Sequence, residues 1–304
     1  PFCVGRVKDM DLKEYAVGVI TKMSLKDCEI KYLSLAAREE AHVAAVLAQK
    51  KPFCVGRVEM MWLYEYAVCV ITKMSLKDCE FESLSLTAPR KKHVAGILKQ
   101  KKPFCVGRVI KMELGDYAVR VITKMSLKDY EIESLRLTAP SKKHVAVVLA
   151  QENPFCVGRV KKMWLREYAV RVITKMSLKD CEIESLRLYA SEKAHVAAVL
   201  AQEKPFCVGR VKEMHLWGYA ASVITKMTIH GDNTMESFAL HGGRDHLSRI
   251  LGEGDNSIDL GRIRTSGLHV PERIKRKLRY TLVDGEGKEV LEERDRSKWW
   301  RRRW

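Results

Sequence analysis

The chain has no run of apolar residues long enough to cross a bilayer as a helix, no signal peptide and no initiating Met. It opens at Pro1 inside a repeat, which reads as a fragment or a processed chain. No Cys-x-x-Cys pair occurs, and nine cysteines is an odd number, which argues against a disulfide framework or a zinc site. Cys3, Cys54, Cys105, Cys156 and Cys207 share one phase of the repeat. Cys28, Cys79 and Cys181 share another, where Tyr130 and Asn233 replace Cys, and Cys69 stands alone. Small buried thiols in a reducing, intracellular compartment are the expectation. A nucleophile with its base, a Gly-rich phosphate loop and paired carboxylates are all missing against the repeat background. These absences point away from an enzyme, and no cofactor, metal or small-molecule substrate is expected. Acidic residues are also in short supply, 38 against 55 Lys and Arg, for a net charge of +17. That balance suits a solvated basic surface. It also admits a nucleic acid or an anionic membrane surface as a partner.

What the chain does have is a period. Pro-Phe-Cys-Val-Gly-Arg-Val recurs at Pro1, Pro52, Pro103, Pro154 and Pro205, every 51 residues. A chain built this way is a solenoid in which each unit buries its apolar face against its neighbours. In the fourth copy Val160, Met163 and Leu165, and then Ile183, Leu186 and Leu188, repeat one spacing and read as two short strands with one buried face. Leu165, Tyr168, Ala169, Val172, Ile173 and Met176 follow helical spacing. His195, Val196, Val199 and Leu200 trace a second helix, and Pro89 and Pro140 mark its start in other copies. The unit is strand, helix, strand, helix. Alternation on this scale predicts an α/β fold, a curved solenoid of short parallel strands and helices.

The spacing VxxMxLxxYxV alternating with IxxLxL resembles the leucine-rich repeat LxxLxLxxNxL, with Tyr15, Tyr66, Tyr117, Tyr168 and Tyr219 where that family has Asn. Leu178-Lys-Asp-Cys181-Glu-Ile183-Glu-Ser-Leu186-Arg-Leu188 is the stretch most like it. A helix after each strand is similar to the ribonuclease-inhibitor and NOD-like-receptor subtype. The resemblance covers about residues 1–268. It implies a horseshoe used for binding, with no catalytic residues. The five-copy array is expected over 1–229, a degenerate terminal repeat over 230–268, and a cap hairpin with a basic tail over 269–304. The hairpin is expected around Asp284-Gly285.

Copies can be compared with one another. Val-Ile-Thr-Lys-Met is identical in all five, while the outward slots of VxxMxLxx change charge, size and aromaticity. Those slots hold Asp11 and Lys13, Trp62 and Tyr64, Glu113 and Gly115, Trp164 and Arg166, and His215 and Trp217. Neutral drift at exposed positions would also spare the core. It would scatter equally over helices, however, and the second strand varies little, with Ser34, Ser85, Arg136 and Arg187 at its central outward slot. Trp, Tyr and Arg are the residue types that dominate interfaces, so these positions are candidate contacts for a protein partner. His42, His93, His144 and His195 recur without companion ligands and are expected to be structural. In the tail, Trp299, Trp300, Arg301, Arg302, Arg303 and Trp304 interleave indole with guanidinium, a pattern suited to a membrane interface or a nucleic-acid backbone.

Overall fold

A computed structural model describes the backbone of residues 2–3 and all of residues 5–290. The chain divides into two compact units, Pro1–Ser177 and Leu178–Trp304, each an α/β solenoid of parallel strands alternating with helices. In the first unit the strands run Arg6–Lys13, Glu29–Ala37, Arg57–Glu65, Glu80–Ala88, Arg108–Asp116, Glu131–Ala139 and Arg159–Glu167. Each pairs in parallel with the next in sequence. In the second unit Glu182–Ala190, Arg210–Gly218, Ser237–His241 and Leu268–His269 do the same. A smaller parallel sheet there joins Thr234–Met235, Ile258–Arg264 and Leu278–Val283.

The inward side of every strand is apolar. Met61 and Leu63, Leu84 and Leu86, Met112 and Leu114, and Met163 and Leu165 are all buried. Removing that area from water is the main driving force for stacking the copies.

The segment expected as one helix from Leu165 to Met176 is shorter and tighter. Leu165 belongs to the strand, Tyr168–Lys175 is a 3-10 helix, and Met176 is extended and bridges to Phe155. The cause is local: Val-x-Val-Ile-Thr is a β-branched run whose side chains lose χ1 freedom in an α-helix. The second helix forms as expected at Lys142–Leu149, while in the second copy it starts as a 3-10 helix, Lys91–Val94, and continues as a short α-helix, Ala95–Leu98. Beyond Asp284 the chain doubles back, with an antiparallel bridge between Val283 and Glu289 and a hydrogen bond from Val290 N to Leu282 O at 2.8 Å.

The identical residues have structural work. Lys73 Nζ donates to the Gln49 carbonyl at 2.7 Å, Lys124 to Gln100 at 2.8 Å, Lys175 to Gln151 at 2.6 Å and Lys226 to Gln202 at 2.6 Å. Part of the basic charge therefore ties connections to one another. Arg and Glu at strand starts alternate across the sheet, with Arg57 to Glu29 at 3.6 Å, Arg108 to Glu80 at 3.4 Å and Arg159 to Glu131 at 3.8 Å. Opposite charges on neighbouring strands favour this register.

Candidate functional site

Strand periodicity sends alternate side chains to opposite faces, so each buried Met-x-Leu leaves two side chains outward. Register then aligns them. In the first unit Asp11, Ser34, Trp62, Ser85, Glu113, Arg136 and Trp164 form one row across the sheet. Lys13, Ala36, Tyr64, Thr87, Gly115, Thr138 and Arg166 form the adjacent row. Asp11, Lys13, Trp62, Tyr64, Glu113, Gly115, Trp164 and Arg166, singled out in the sequence, thus share one face. None is buried; Trp62, Trp164 and Arg166 are half-buried and Tyr64 is exposed.

Two aromatic clusters stand on this face. Tyr32 stacks on Trp62 with ring centroids 5.6 Å apart and planes within 14°. The Arg136 guanidinium lies 4.3 Å from the Trp164 ring centroid, and that of Arg166 lies 5.8 Å away. Such cation–π contacts hold the indole in place. Trp62 and Trp164 are four strand steps apart, about 19 Å. The strands between them carry the small residues Ser85, Thr87 and Gly115 beside Glu113 and Arg136. Charge on the face is largely paired: Asp11 to Lys13 at 2.7 Å, Arg136 to Glu113 at 3.2 Å, Lys111 to Glu82 at 3.2 Å and Lys162 to Glu133 at 2.8 Å. The hydrogen bond from Lys13 holds the Asp11 carboxyl below the usual carboxylate range.

The second unit presents its own outward cluster. His215, Trp217 and His241 stack, with Trp217 and His241 centroids 5.0 Å apart and planes within 11°, and His215 5.5 Å from Trp217. Burial, and then Arg187, lower the His215 pKa against the opposing pull of Glu213.

Tyr32, Arg136 and His241 were not singled out as contact residues from the sequence, although each stacks on or beside one that was. A signal existed for Tyr32: the second strand carries Ser83 and Ser134 at the equivalent position. The tail residues Trp299 to Trp304 lie outside the described residues.

The periodic histidines have a structural place. His93 Nδ1 accepts the Arg90 backbone N–H at 3.4 Å, His144 that of Ser141 at 3.3 Å and His246 that of Gly243 at 3.0 Å. Each cap satisfies a donor at a helix start. The rings pack against the repeat tyrosines: Tyr15 on His42 at 4.5 Å, Tyr66 on His93 at 4.7 Å, Tyr117 on His144 at 4.5 Å and Tyr219 on His246 at 4.6 Å. The tyrosine found where the leucine-rich repeat has Asn is thus a ring partner for the next helix cap. Among the described residues no group of three or more His, Cys, Asp or Glu is arranged to hold a metal ion. Comparison with family models, with curated proteins and with solved structures returns no match.

Proposed function

We propose that this protein is a non-enzymatic recognition protein of leucine-rich-repeat type, and that it binds a protein partner on the outward strand face of its first unit. The observation that carries the reading is the pair of clusters Tyr32–Trp62 and Arg136–Trp164–Arg166, set outward above a core of buried Met and Leu. Aromatic rings held in place on an outward face are the residue types that anchor an interface core. Little backbone movement on binding is expected of a packed array. The second unit's His215, Trp217 and His241 form a smaller face of the same kind.

Nucleic acid is the competing class, because the net charge is +17. Carboxylates on the same face, and lysines spent on internal carbonyls, weigh against it. The test is affinity capture with the intact chain, repeated with Trp62→Ala and Trp164→Ala. A protein retained by wild type and weakened by more than about 1 kcal/mol in each variant supports the reading. Equal retention by all three sinks it. Binding to nucleic acid whose affinity falls steeply with log salt would favour the competing class.

A further inference from the structure

On its apolar side the sheet of the first unit is backed by one layer of short helices. Ala41–Leu47, the 3-10 helix Tyr66–Lys73, the pair Lys91–Val94 and Ala95–Leu98, the 3-10 helix Tyr117–Lys124 and Lys142–Leu149 pack in that order. Charge is held differently here than on the strand face. Between Ala88 and Lys102 stand six cations, Arg90, Lys91, Lys92, Lys99, Lys101 and Lys102, and no carboxylate. All six are exposed. Lys142 and Lys143 repeat the pattern at the next helix start, and Lys50 and Lys51 follow the helix before. Neither intervening 3-10 helix contains an acidic residue. The acidic residues of the equivalent first- and third-copy segments are Glu39, Glu40 and Glu152. On the strand face Arg136, Lys111 and Lys162 are paired to carboxylates, whereas none of these ten cations forms an ion pair among the described residues. Such a cluster repels itself and favours an external counter-charge. The cations stand in two rows, with Lys91 about 12–16 Å of helix from Lys99. Between the rows the exposed residues are small and uncharged, among them Gly96, Ala146 and Val147.

We propose that the helix layer of the first unit is an electrostatic docking surface for an anionic phospholipid bilayer. A cluster of about four to eight Lys and Arg is what holds a segment at such a surface. Composition favours lipid over a nucleic acid. Nine of the ten cations are lysine, a compact charge on a flexible stem, which suits a fluid plane of headgroups. The fork of arginine suits phosphates in fixed positions. Gly96, Ala146 and Val147 offer no side-chain hydrogen bond to a sugar or a base edge. Val147 is the largest apolar side chain exposed between the rows and is too short to anchor among acyl chains. Attachment is therefore by charge alone and reversible with salt. It uses the side of the sheet away from the outward strand face and does not rest on the reading above.

The test is flotation of the full chain with vesicles. Wild type is expected to float with vesicles holding about 30% phosphatidylserine, to stay behind with pure phosphatidylcholine, and to be released by about 0.5 M NaCl. Two triple variants carry the same change of charge in different places. Lys91→Glu with Lys99→Glu and Lys142→Glu reverses the helix layer, and Lys26→Glu with Lys77→Glu and Lys128→Glu reverses turns ahead of the strands. All six side chains are exposed, so both proteins should melt near wild type. The helix-layer variant should lose about a hundredfold or more in vesicle affinity, and the turn variant less than about tenfold. Residues 299–304 are the same in both and cannot create that difference. Equal losses overturn the proposal, because net charge alone would then account for binding. Failure of wild type to float with the anionic vesicles overturns it as well. Duplex DNA is a further probe at the same salt. DNA binding that the helix-layer variant loses, beside vesicle binding that it keeps, gives the surface to a nucleic acid and ends the proposal. Trp164→Ala should float like wild type; its loss of flotation would move the membrane contact to the strand face and be equally fatal.

Discussion

Cys69 Sγ donates to the His93 carbonyl oxygen at 3.1 Å, which gives a role to the one cysteine outside the periodic phases. The equivalent slot holds Arg120, whose Nε donates to the His144 carbonyl at 3.1 Å, and Ser222, whose Oγ donates to that of His246 at 2.9 Å. Three unlike side chains therefore satisfy one carbonyl behind each helix cap. Gly18 occupies the slot in the first copy, and a Cβ there meets nothing within 4 Å. Gly18→Ser is expected to raise stability by about 0.5–1 kcal/mol, through a new donor and a less flexible unfolded chain. Cys69→Val, similar in size but without a donor, should cost about 1 kcal/mol. Denaturant melts of both variants check the pair; a destabilised Gly18→Ser would refute the shared-donor account.

Arg120 fills the slot at a cost. Its guanidinium is buried, Nη2 donates to the Lys143 carbonyl, and Nη1 has no partner. Burial lowers its pKa, with Tyr117 opposing. Arg120→Cys retains a donor and removes the incompletely paired charge. A gain of about 1 kcal/mol is expected, since buried charges are offset only by complete pairing. A lower thermal midpoint for this variant would show that the Arg120 contact with the Tyr117 ring, at 4.7 Å, outweighs the unpaired nitrogen.

Strain recurs where the first strand of each copy enters its 3-10 helix. Glu65, Asp116 and Glu167 adopt φ of 58°, 56° and 57°, and the fifth copy has Gly218 at 60°. Non-glycine residues pay about 1–3 kcal/mol in such regions. Glu65→Gly is therefore expected to stabilise by about 1 kcal/mol, because the native angles suit glycine. At Gly107 the sign reverses: Gly107→Ala would push a Cβ onto the Leu76 carbonyl oxygen, and a loss of more than about 2 kcal/mol is expected. Paired melting curves test both. Loss of stability in Glu65→Gly would mean that the acidic side chain contributes more than the backbone strain removes.

The sequence made the strands legible because burial has period two. Met163 and Leu165 had to share a face, and copy-to-copy comparison then picked out their outward neighbours. The spacing of Tyr168–Lys175 also fits a longer α-helix, because 3-10 and α-helices bury similar spacings over so short a stretch. Pairing between half-repeats was not legible at all. That Tyr66 meets His93, or Tyr32 meets Trp62, depends on register across strands, and spacing along one chain does not encode it. Arg136 was read as a low-variation outward residue, but its seat on Trp164 needed the parallel pairing of their strands.

The helix-cap histidines give the fold a pH dependence of definite sign. Burial, and then Lys92 and Arg90, push the His93 pKa down from 6.5 to about 4. His144 moves the same way, driven by burial with Asp116 opposing. Each Nδ1 accepts a backbone N–H, so protonation destroys the cap as well as placing charge in the interior. Between pH 6.5 and about 4 the unfolded state binds the proton that folded His93 excludes. Stability is therefore full above that window and falls as pH drops through it. His93→Gln keeps an acceptor for the Arg90 N–H and cannot titrate. Its thermal midpoint should fall less than that of wild type between pH 7 and about 4. Identical slopes for the two proteins would remove His93 from the account and leave the acid sensitivity to other groups.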